Sequence, residues 1–232
     1  MLILLSPAKS LDFEPLTGDL AQLPHTLPAF PKQTQELIGI LRDLSVQEIA
    51  ELMHLSDKLA SLNVARYLAW RPKFSAKNSK QAVLAFDGDV YTGLDAATLK
   101  PNDLLWAQDH LALLSGLYGV LRPLDWMQPY RLEMGTHLQT GKSHNLYGFW
   151  GKQIAQYLNK CLTTRNESIV VNLASQEYFK AVDLQTLKAR VIECVFEDYK
   201  NGQYKIISFF AKQARGLMAR YIVQKRLNTP AK

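Results

Sequence analysis

This chain of 232 residues has little cysteine and no long uncharged run. Its two cysteines, Cys161 and Cys194, form no CxxC pair, which favours a reduced cytoplasmic setting over a disulfide-rich secreted one. The uncharged run from Leu111 to Leu121 has 11 residues, whereas a membrane-spanning helix needs roughly 20. The N-terminus also lacks the basic segment that precedes the apolar part of a signal peptide. We therefore predict a cytoplasmic protein with no membrane partner.

The common catalytic and cofactor motifs are absent too. The chain contains no G-x-G-x-x-G, P-loop, G-x-S-x-G or H-E-x-x-H sequence. Its five histidines form no i, i+4 pair, and together with the isolated cysteines they give no metal-site spacing. We therefore expect no cofactor and no dedicated metal site, and the sequence indicates no standard metal or cofactor enzyme.

Positive charge is concentrated at the C-terminal end of the chain. The net charge is +6, and the segment from Tyr199 onward holds eight basic residues and no acidic ones. The other 198 residues balance 19 basic against 21 acidic residues, so the whole excess lies in the last 34. Such an asymmetry indicates a polyanionic partner, either nucleic acid or an anionic surface. The alternative is a solvated basic helix with no partner.

Strand and helix patterns alternate along the chain, without a repeat or a linker. The run from Ser168 to Leu173 is typical of a buried strand, and Ser45 with Glu48 forms the S-x-x-E capping box of a helix. Asn201-Gly202 between two apolar runs indicates a β-hairpin. We predict a single domain over residues 1–232 of the α/β (α+β) class, in which helices surround a mixed β-sheet.

The last predicted helix, from Ala211 to about Leu227, carries the clearest candidate for anion binding. At 100° per residue, apolar residues form one stripe and cations lie opposite. A glycine inside a helix costs about 1 kcal/mol relative to alanine, and we interpret Gly216 as a gap through which a phosphate approaches the cations. A purely solvated outer face is the alternative. The predicted apolar stripe consists of Ala214, Leu217, Met218, Tyr221 and Ile222, and the opposite face of Lys212, Arg215, Gly216, Ala219 and Arg226, with Arg220 at the edge.

Charged residues elsewhere form two further candidate groups. Arg122 and Arg131 lie among large apolar residues and can pair with Asp125 and Glu133. Such pairs are structural by default, because a buried charge needs a partner, but an arginine held by a carboxylate in a cleft can also bind phosphate or a base edge. The second group follows strand ends, where α/β proteins tend to form sites. It consists of Lys9, Asn172, Ser175, Glu177, Tyr178 and Lys180.

Six long and unusual motifs spread over nearly the whole chain resemble one known family. They cover residues 4–13, 86–93, 114–125, 128–135, 171–180 and 206–220. In these motifs the chain is similar to the YaaA family of bacterial peroxide-stress proteins. The resemblance implies a cytosolic protein that protects cells against hydrogen peroxide, with less DNA damage and lower free iron. It also implies that a positively charged cleft and a helix-hairpin-helix element bind duplex and branched DNA, on an α/β fold peculiar to the family.

The helix-hairpin-helix element uses a tight Gly-apolar-Gly hairpin between two helices. The stretch from Leu59 to Arg66 resembles its pattern, with Ser61 and Asn63 in place of the glycines. The segment from Gly116 to Gly119 is the other candidate, although its glycines lie one residue too far apart. We prefer the first stretch.

Two function hypotheses follow. The leading one is DNA binding through phosphate neutralisation, with lower free iron as an indirect consequence. The alternative is an enzyme that processes a nucleic acid or a nucleotide in the same cleft, with Glu133, Asp89 or Glu177 supplying acid/base chemistry beside Arg131 and Lys9. The DNA-binding residues expected under the first hypothesis are Lys9, Ser61, Asn63, Arg66, Arg122, Arg131, Lys180, Lys212, Arg215, Gly216 and Arg220.

Overall fold

A five-stranded mixed sheet forms the centre of the fold in the computed structural model, which describes residues 1–141, 143–200 and 202–230. The strands are β1 (Leu2–Leu5), β2 (Ser10–Leu11), β3 (Lys80–Gln81), β4 (Phe86–Asp87), β5 (Leu111–Ser115), β6 (Gly119–Leu121), β7 (Trp126–Met127), β8 (Ile169–Asn172), β9 (Arg190–Glu193), β10 (Asp198–Lys200) and β11 (Gln203–Lys205). The helices are α1 (Pro31–Arg42), α2 (Val46–Met53), α3 (Asp57–Ala69), α4 (Ala82–Ala85), α5 (Asp89–Leu94), α6 (Pro101–His110), α7 (Leu146–Trp150), α8 (Gln153–Thr164), α9 (Gln176–Phe179) and α10 (Ser208–Lys225).

The strand order in the central sheet is β6-β5-β1-β8-β9. Strands β1, β5, β8 and β9 run parallel, and β6 returns antiparallel to β5. All residues of β1 and β5 are buried, because helices cover both faces of a parallel sheet and select continuous apolar runs. The predicted mixed α/β fold is therefore confirmed.

The parallel strands reverse their order on the two sides of β1. Along the chain β5 follows β1 on one side, whereas β8 and β9 follow on the other. In open α/β sheets ligands bind outside the carboxyl ends of the strands at such a switch point. Ser6 follows β1 and Ser175 follows β8 at this position, and the Ser175 amide donates to Ser6 Oγ at 2.8 Å.

Two local predictions agree with the structure. Ser45 and Glu48 form the complete capping box at the start of α2. Strands β10 and β11 pair as an antiparallel hairpin with Tyr199 opposite Tyr204. Of the turn predicted there, Asn201 lies outside the described residues, and Gly202 has φ 79°.

The predicted apolar stripe of the last helix is wrong at three of its five positions, because Leu217, Met218 and Tyr221 are exposed, whereas Ile222 is buried as predicted. Gly216 and Ala219, which were predicted on the opposite face, are buried. A Cβ atom on Gly216 would lie 2.7 Å from the Leu94 amide nitrogen and closer still to the Val90 carbonyl oxygen. Gly216 therefore permits a close helix crossing, and it does not open a path for phosphate. The helix α10 packs on α5 through small residues and not through its large apolar side chains.

The predicted position of the helix-hairpin-helix is also wrong. Ser61 and Asn63 lie inside the continuous helix α3, so their backbone amides serve the helix. Asn63 is buried, and its amide group donates to the Leu59 carbonyl at 2.8 Å. The segment from Gly116 to Gly119 instead joins the antiparallel strands β5 and β6. Among the described residues, a tight turn between adjacent helices occurs at residues 54–56, which link α2 to α3.

Candidate nucleic-acid interface at the carboxyl edge of the sheet

The short ladder between β2 and β4 brings Lys9 to the start of α5. Ser10 pairs with Asp87 in this antiparallel ladder, so Lys9 lies opposite Gly88. A Cβ atom on Gly88 would lie 3.2 Å from the Ala8 Cβ atom, which shows how closely the two segments approach. Asp89, at the first position of α5, therefore comes directly after the residue that lies opposite Lys9.

Glu133 joins the two cations that the enzyme hypothesis places beside it. Its Oε2 atom lies 2.7 Å from Lys9 Nζ, and its Oε1 atom lies 2.9 Å from Arg131 Nη2. Arg131 and Glu133 are largely buried, with side-chain exposures of 16% and 22%, whereas Lys9 is 61% exposed. The Arg131 carbonyl also accepts a hydrogen bond from the Tyr67 hydroxyl. This hydrogen bond from α3 fixes the backbone at Arg131. Lys9, Arg131 and Glu133 together carry one excess positive charge.

Arg66 precedes Tyr67 on α3 and lies close to the same group. Its Nη1 atom donates to Asn63 Oδ1 at 3.2 Å. Burial lowers the pKa of Arg66, and the nearby Arg131 charge acts in the same direction. Arg66 forms no ion pair with the residues that the structure describes. A bound anion would therefore relieve repulsion between these two guanidinium groups.

Glu177 and Lys180 extend the site on the other side. Glu177 Oε1 accepts a hydrogen bond from the Gly135 amide at 3.0 Å, which ties α9 to the loop after Glu133. The Tyr147 hydroxyl donates to the Glu177 carbonyl at 3.0 Å. Lys180 Nζ lies 5.0 Å from the centroid of the Tyr147 ring, within cation–π range. Lys180 is exposed, so its charge is available to a ligand.

The fifth cation comes from α10. Lys212 Nζ lies 3.8 Å from Asp89 Oδ2, next to the point where Lys9 meets Gly88. Two ion-paired groups result: Lys9 and Arg131 with Glu133, and Lys212 with Asp89. Arg66 lies near Arg131, Glu177 is tied to the loop after Glu133, and Lys180 lies over the Tyr147 ring. These five predicted cations and three candidate carboxylates have an excess of two positive charges. We call this set the carboxyl-edge cluster. It consists of Lys9, Arg66, Asp89, Arg131, Glu133, Glu177, Lys180 and Lys212.

Buried hydroxyl groups lie beneath this cluster, and none of them was among the predicted site residues. Tyr91 donates to the Ser6 carbonyl at 3.0 Å, and the hydroxyls of Tyr130 and Ser115 lie 2.6 Å apart. Burial raises the pKa of Tyr91 and of Tyr130, so both phenols stay protonated at neutral pH. Ser6 and Ser115 stand at the ends of apolar strands, and that position is the signal that could have identified them.

Arg122 and Arg220 are not brought to the cluster. Arg122 pairs with the buried Asp125, whose Oδ1 atom lies 3.4 Å from Arg122 Nη2, and it follows β6, which runs away from the carboxyl edge. Arg220 holds the end of α5, since Nη1 donates to the Leu94 carbonyl at 2.8 Å and Nη2 to Thr98 Oγ1 at 2.8 Å. Arg122 thus follows the structural alternative stated for its pair with Asp125, whereas Arg220 has partners on α5 and Thr98 that neither interpretation of the last helix included.

Arg215 has a different environment from its neighbours on α10. It is partly buried, and its Nε atom has no hydrogen-bond partner among the described residues. Burial lowers the pKa of Arg215, because the charged form is poorly solvated. Its DNA-binding role stays a prediction. Ser61 is exposed on α3, and its role stays a prediction as well.

No group of three or more His, Cys, Asp or Glu side chains in the described ranges could hold a metal ion. Within the same ranges, no helix is both long and apolar enough to cross a membrane.

Comparison with known proteins identifies the family. The family described as peroxide stress protein YaaA matches residues 1–232. A UPF0246 protein of Paracidovorax citrulli is 64% identical over 231 residues, covering 99% of this chain and 88% of that protein. A UPF0246 protein of Polaromonas naphthalenivorans is 63% identical over 232 residues, covering 100% of this chain and 89% of that protein. The resemblance is confirmed: the chain belongs to the peroxide stress protein YaaA family.

Proposed function

We propose that this protein limits oxidative DNA damage in the cytosol by binding duplex and branched DNA through the carboxyl-edge cluster. The observation that carries the proposal is that cations from separate parts of the chain, Lys9, Arg131 and Lys212, lie against Glu133 and Asp89, with Arg66 beside Arg131. An excess of cations on one surface supplies the sequence-independent part of DNA affinity. Lower free iron during peroxide stress would then follow indirectly from this protection.

The pair of helices α2 and α3 supports the same proposal. The turn at residues 54–56 is tight, and His54 adopts the left-handed conformation with φ 52°. Ser56 occupies the N-cap position of α3, but its side chain accepts no hydrogen bond from the first turn. The amide groups of that turn are therefore available to a phosphate oxygen. Arg66 lies near the other end of α3, and this helix therefore connects the turn to the cluster. We assign the helix-hairpin-helix role to this turn.

A salt titration of DNA binding tests the proposal. Fluorescence anisotropy of labelled duplex and four-way-junction DNA gives the affinity at each salt concentration. Each neutralised phosphate contributes about −0.9 to the slope of log affinity against log salt, so five cations predict a slope of about −4.5. Absence of binding to either DNA at low salt would contradict the proposal.

The geometry of Glu133 favours a second candidate, an enzyme that processes a nucleic acid or a nucleotide. Its carboxylate touches both Lys9 and Arg131, beside the switch point of the sheet where substrates bind in related architectures. A carboxylate held by two cations can serve as an acid/base group or orient a phosphate. Asp89 and Glu177 are the other carboxylates within this arrangement.

The substitution Glu133→Gln separates the two candidates. It removes the negative charge that competes with phosphate for Lys9 and Arg131. The DNA-binding proposal therefore predicts tighter duplex binding for this variant, with a similar salt slope because the same five cations contact phosphate. An acid/base role for Glu133 predicts instead a loss of turnover of about 10²–10⁴-fold on whichever nucleotide or nucleic-acid substrate the wild type converts.

A further inference from the structure

A cleft of about 740 Å³ opens on the side of α3 that faces β3 and β7. Arg66 lines this cleft, while the other members of the carboxyl-edge cluster do not. The remaining walls come from β3, from the segment of residues 13–16 and from the residues around Trp126. Its volume falls within the range of sites that enclose a small organic ligand.

Aromatic rings form one wall of the cleft. The His25 ring lies flat against the Trp126 indole, with ring centroids 3.4 Å apart and an interplanar angle of 0°. Backbone hydrogen bonds at Thr26 fix this pair, because the Thr26 carbonyl accepts from the Trp126 amide at 2.9 Å. Trp70, which is buried, lines another part of the cleft. A planar heterocycle can continue such a stack at little entropic cost, since the rings are already ordered.

Cations line the same cleft. Lys80 is buried, and its Nζ atom is held by Asp12 Oδ1 at 3.3 Å and by the Glu14 carbonyl at 3.0 Å. Arg66 and Lys77 form no ion pair within the described part of the chain. Of the residues that line the cleft, Glu14 alone is acidic, against Arg66, Lys77 and Lys80. The charge of the walls therefore favours an anion beside the aromatic stack.

We propose that this cleft binds a nucleotide, with the base stacked on the pair of His25 and Trp126 and the phosphate held by Arg66 and Lys77. A phosphorylated planar heterocycle matches both the rings and the excess of cations. The nucleotide is either a free mononucleotide or one that is extruded from a DNA duplex, since both present the same base and phosphate. The proposal does not depend on duplex binding, because a free mononucleotide needs only the cleft.

Titration with adenosine monophosphate, followed by intrinsic tryptophan fluorescence, tests the cleft directly. Trp70 and Trp126 line it, so occupation quenches the emission. We expect adenosine monophosphate to bind more tightly than either adenosine or inorganic phosphate. Lys77→Ala and Arg66→Ala each weaken this binding by about tenfold. Lys77 lies in an exposed loop, so its removal leaves the fold intact.

Lys160→Ala is the matched control, because Lys160 is an exposed lysine on α8 outside the cleft. This variant should bind adenosine monophosphate as the wild type does. Absence of quenching by the nucleotide, or equal affinities in the Lys77→Ala and Lys160→Ala variants, would overturn the proposal. Circular dichroism of each variant verifies that the fold is unchanged.

Competition distinguishes the two sources of the nucleotide. A duplex with one unpaired adenosine displaces adenosine monophosphate more strongly than a fully paired duplex if the cleft accepts an extruded nucleotide. Absent displacement by both duplexes identifies the free mononucleotide as the ligand, and equal displacement by both would contradict stacking of a base in the cleft. Duplex affinity measured separately by anisotropy tests the DNA-binding proposal, so the failure of one proposal is visible without the failure of the other.

Discussion

The close crossing of α5 and α10 makes Gly216→Ala a decisive test of how the last helix packs. A Cβ atom at position 216 would lie 2.7 Å from the Leu94 amide nitrogen, and one on Gly93 would lie 2.9 Å from the Leu217 amide nitrogen. The neighbours are backbone atoms, which cannot rotate away as a side chain can. Gly39 offers the matched control, because it lies on the exposed face of α1 and an added Cβ atom there meets nothing within 4 Å.

The magnitudes follow from two opposing effects. Glycine to alanine inside a helix raises the free energy of unfolding by about 1 kcal/mol, and at Gly39 this gain is the whole effect. At Gly216 the added methyl group separates two packed helices, and overpacking costs roughly 1–3 kcal/mol. Because the added methyl group would clash with backbone atoms, we expect the overpacking cost to lie at the upper end of this range, at about 3 kcal/mol. After the helix-propensity gain of about 1 kcal/mol is subtracted, the free energy of unfolding of Gly216→Ala should fall by about 2 kcal/mol. The two variants should therefore differ by about 3 kcal/mol.

Urea unfolding followed by circular dichroism measures this difference. The midpoint should fall for Gly216→Ala and rise for Gly39→Ala, with similar dependence of the free energy on urea for both. A Gly216→Ala variant as stable as Gly39→Ala would refute the packing of α10 on α5. In that case Gly216 would face solvent, and the hypothesis that a phosphate approaches the cations of α10 at this glycine would be supported.

Three further predictions concern single side chains. Tyr67→Phe removes the hydrogen bond to the Arg131 carbonyl and should lower the free energy of unfolding by about 1 kcal/mol in urea. Arg220→Ala should destabilise by roughly 1–3 kcal/mol, yet leave the salt slope of DNA binding unchanged; a changed slope would contradict its structural role. Burial opposes ionisation of Glu167, but the Met1 ammonium and Arg165 outweigh it and lower the pKa of Glu167. Its stabilisation is therefore present at neutral pH and lost in acid as the pH falls through that lowered pKa, and Glu167→Gln should flatten the acid limb of the stability–pH curve.

Local patterns in the sequence predict local structure well. The capping box at Ser45, the buried strand within Ser168 to Leu173 and the hairpin that contains Gly202 depend on neighbouring residues, and the structure contains each of them. The orientation of α10 could not be predicted in this way. Its apolar residues suggested one buried face, but close backbone contact with α5 selects small residues and leaves Leu217 and Tyr221 exposed.

The carboxyl-edge cluster depends on long-range pairing that has no local signal. The register of β2 with β4 places Lys9 opposite Gly88, next to Asp89 in the chain, and Glu133 reaches Lys9 from a loop after β7. The residue types and the strand-end positions could be identified from the sequence. The sequence does not predict which of these residues lie close together, because their positions are set by the order of strands in the sheet and by the hydrogen bond between Tyr67 on α3 and the Arg131 carbonyl.

The salt slope of duplex binding in a double variant tests the central claim most directly. Arg66 and Lys180 form no ion pair with the described residues, so Arg66→Ala with Lys180→Ala removes two cations without leaving a carboxylate unpaired. We predict that the slope of log affinity against log salt falls in magnitude by about 1.8, and that Lys160→Ala leaves it unchanged. An equal slope in the double variant and the wild type would contradict DNA binding through the carboxyl-edge cluster.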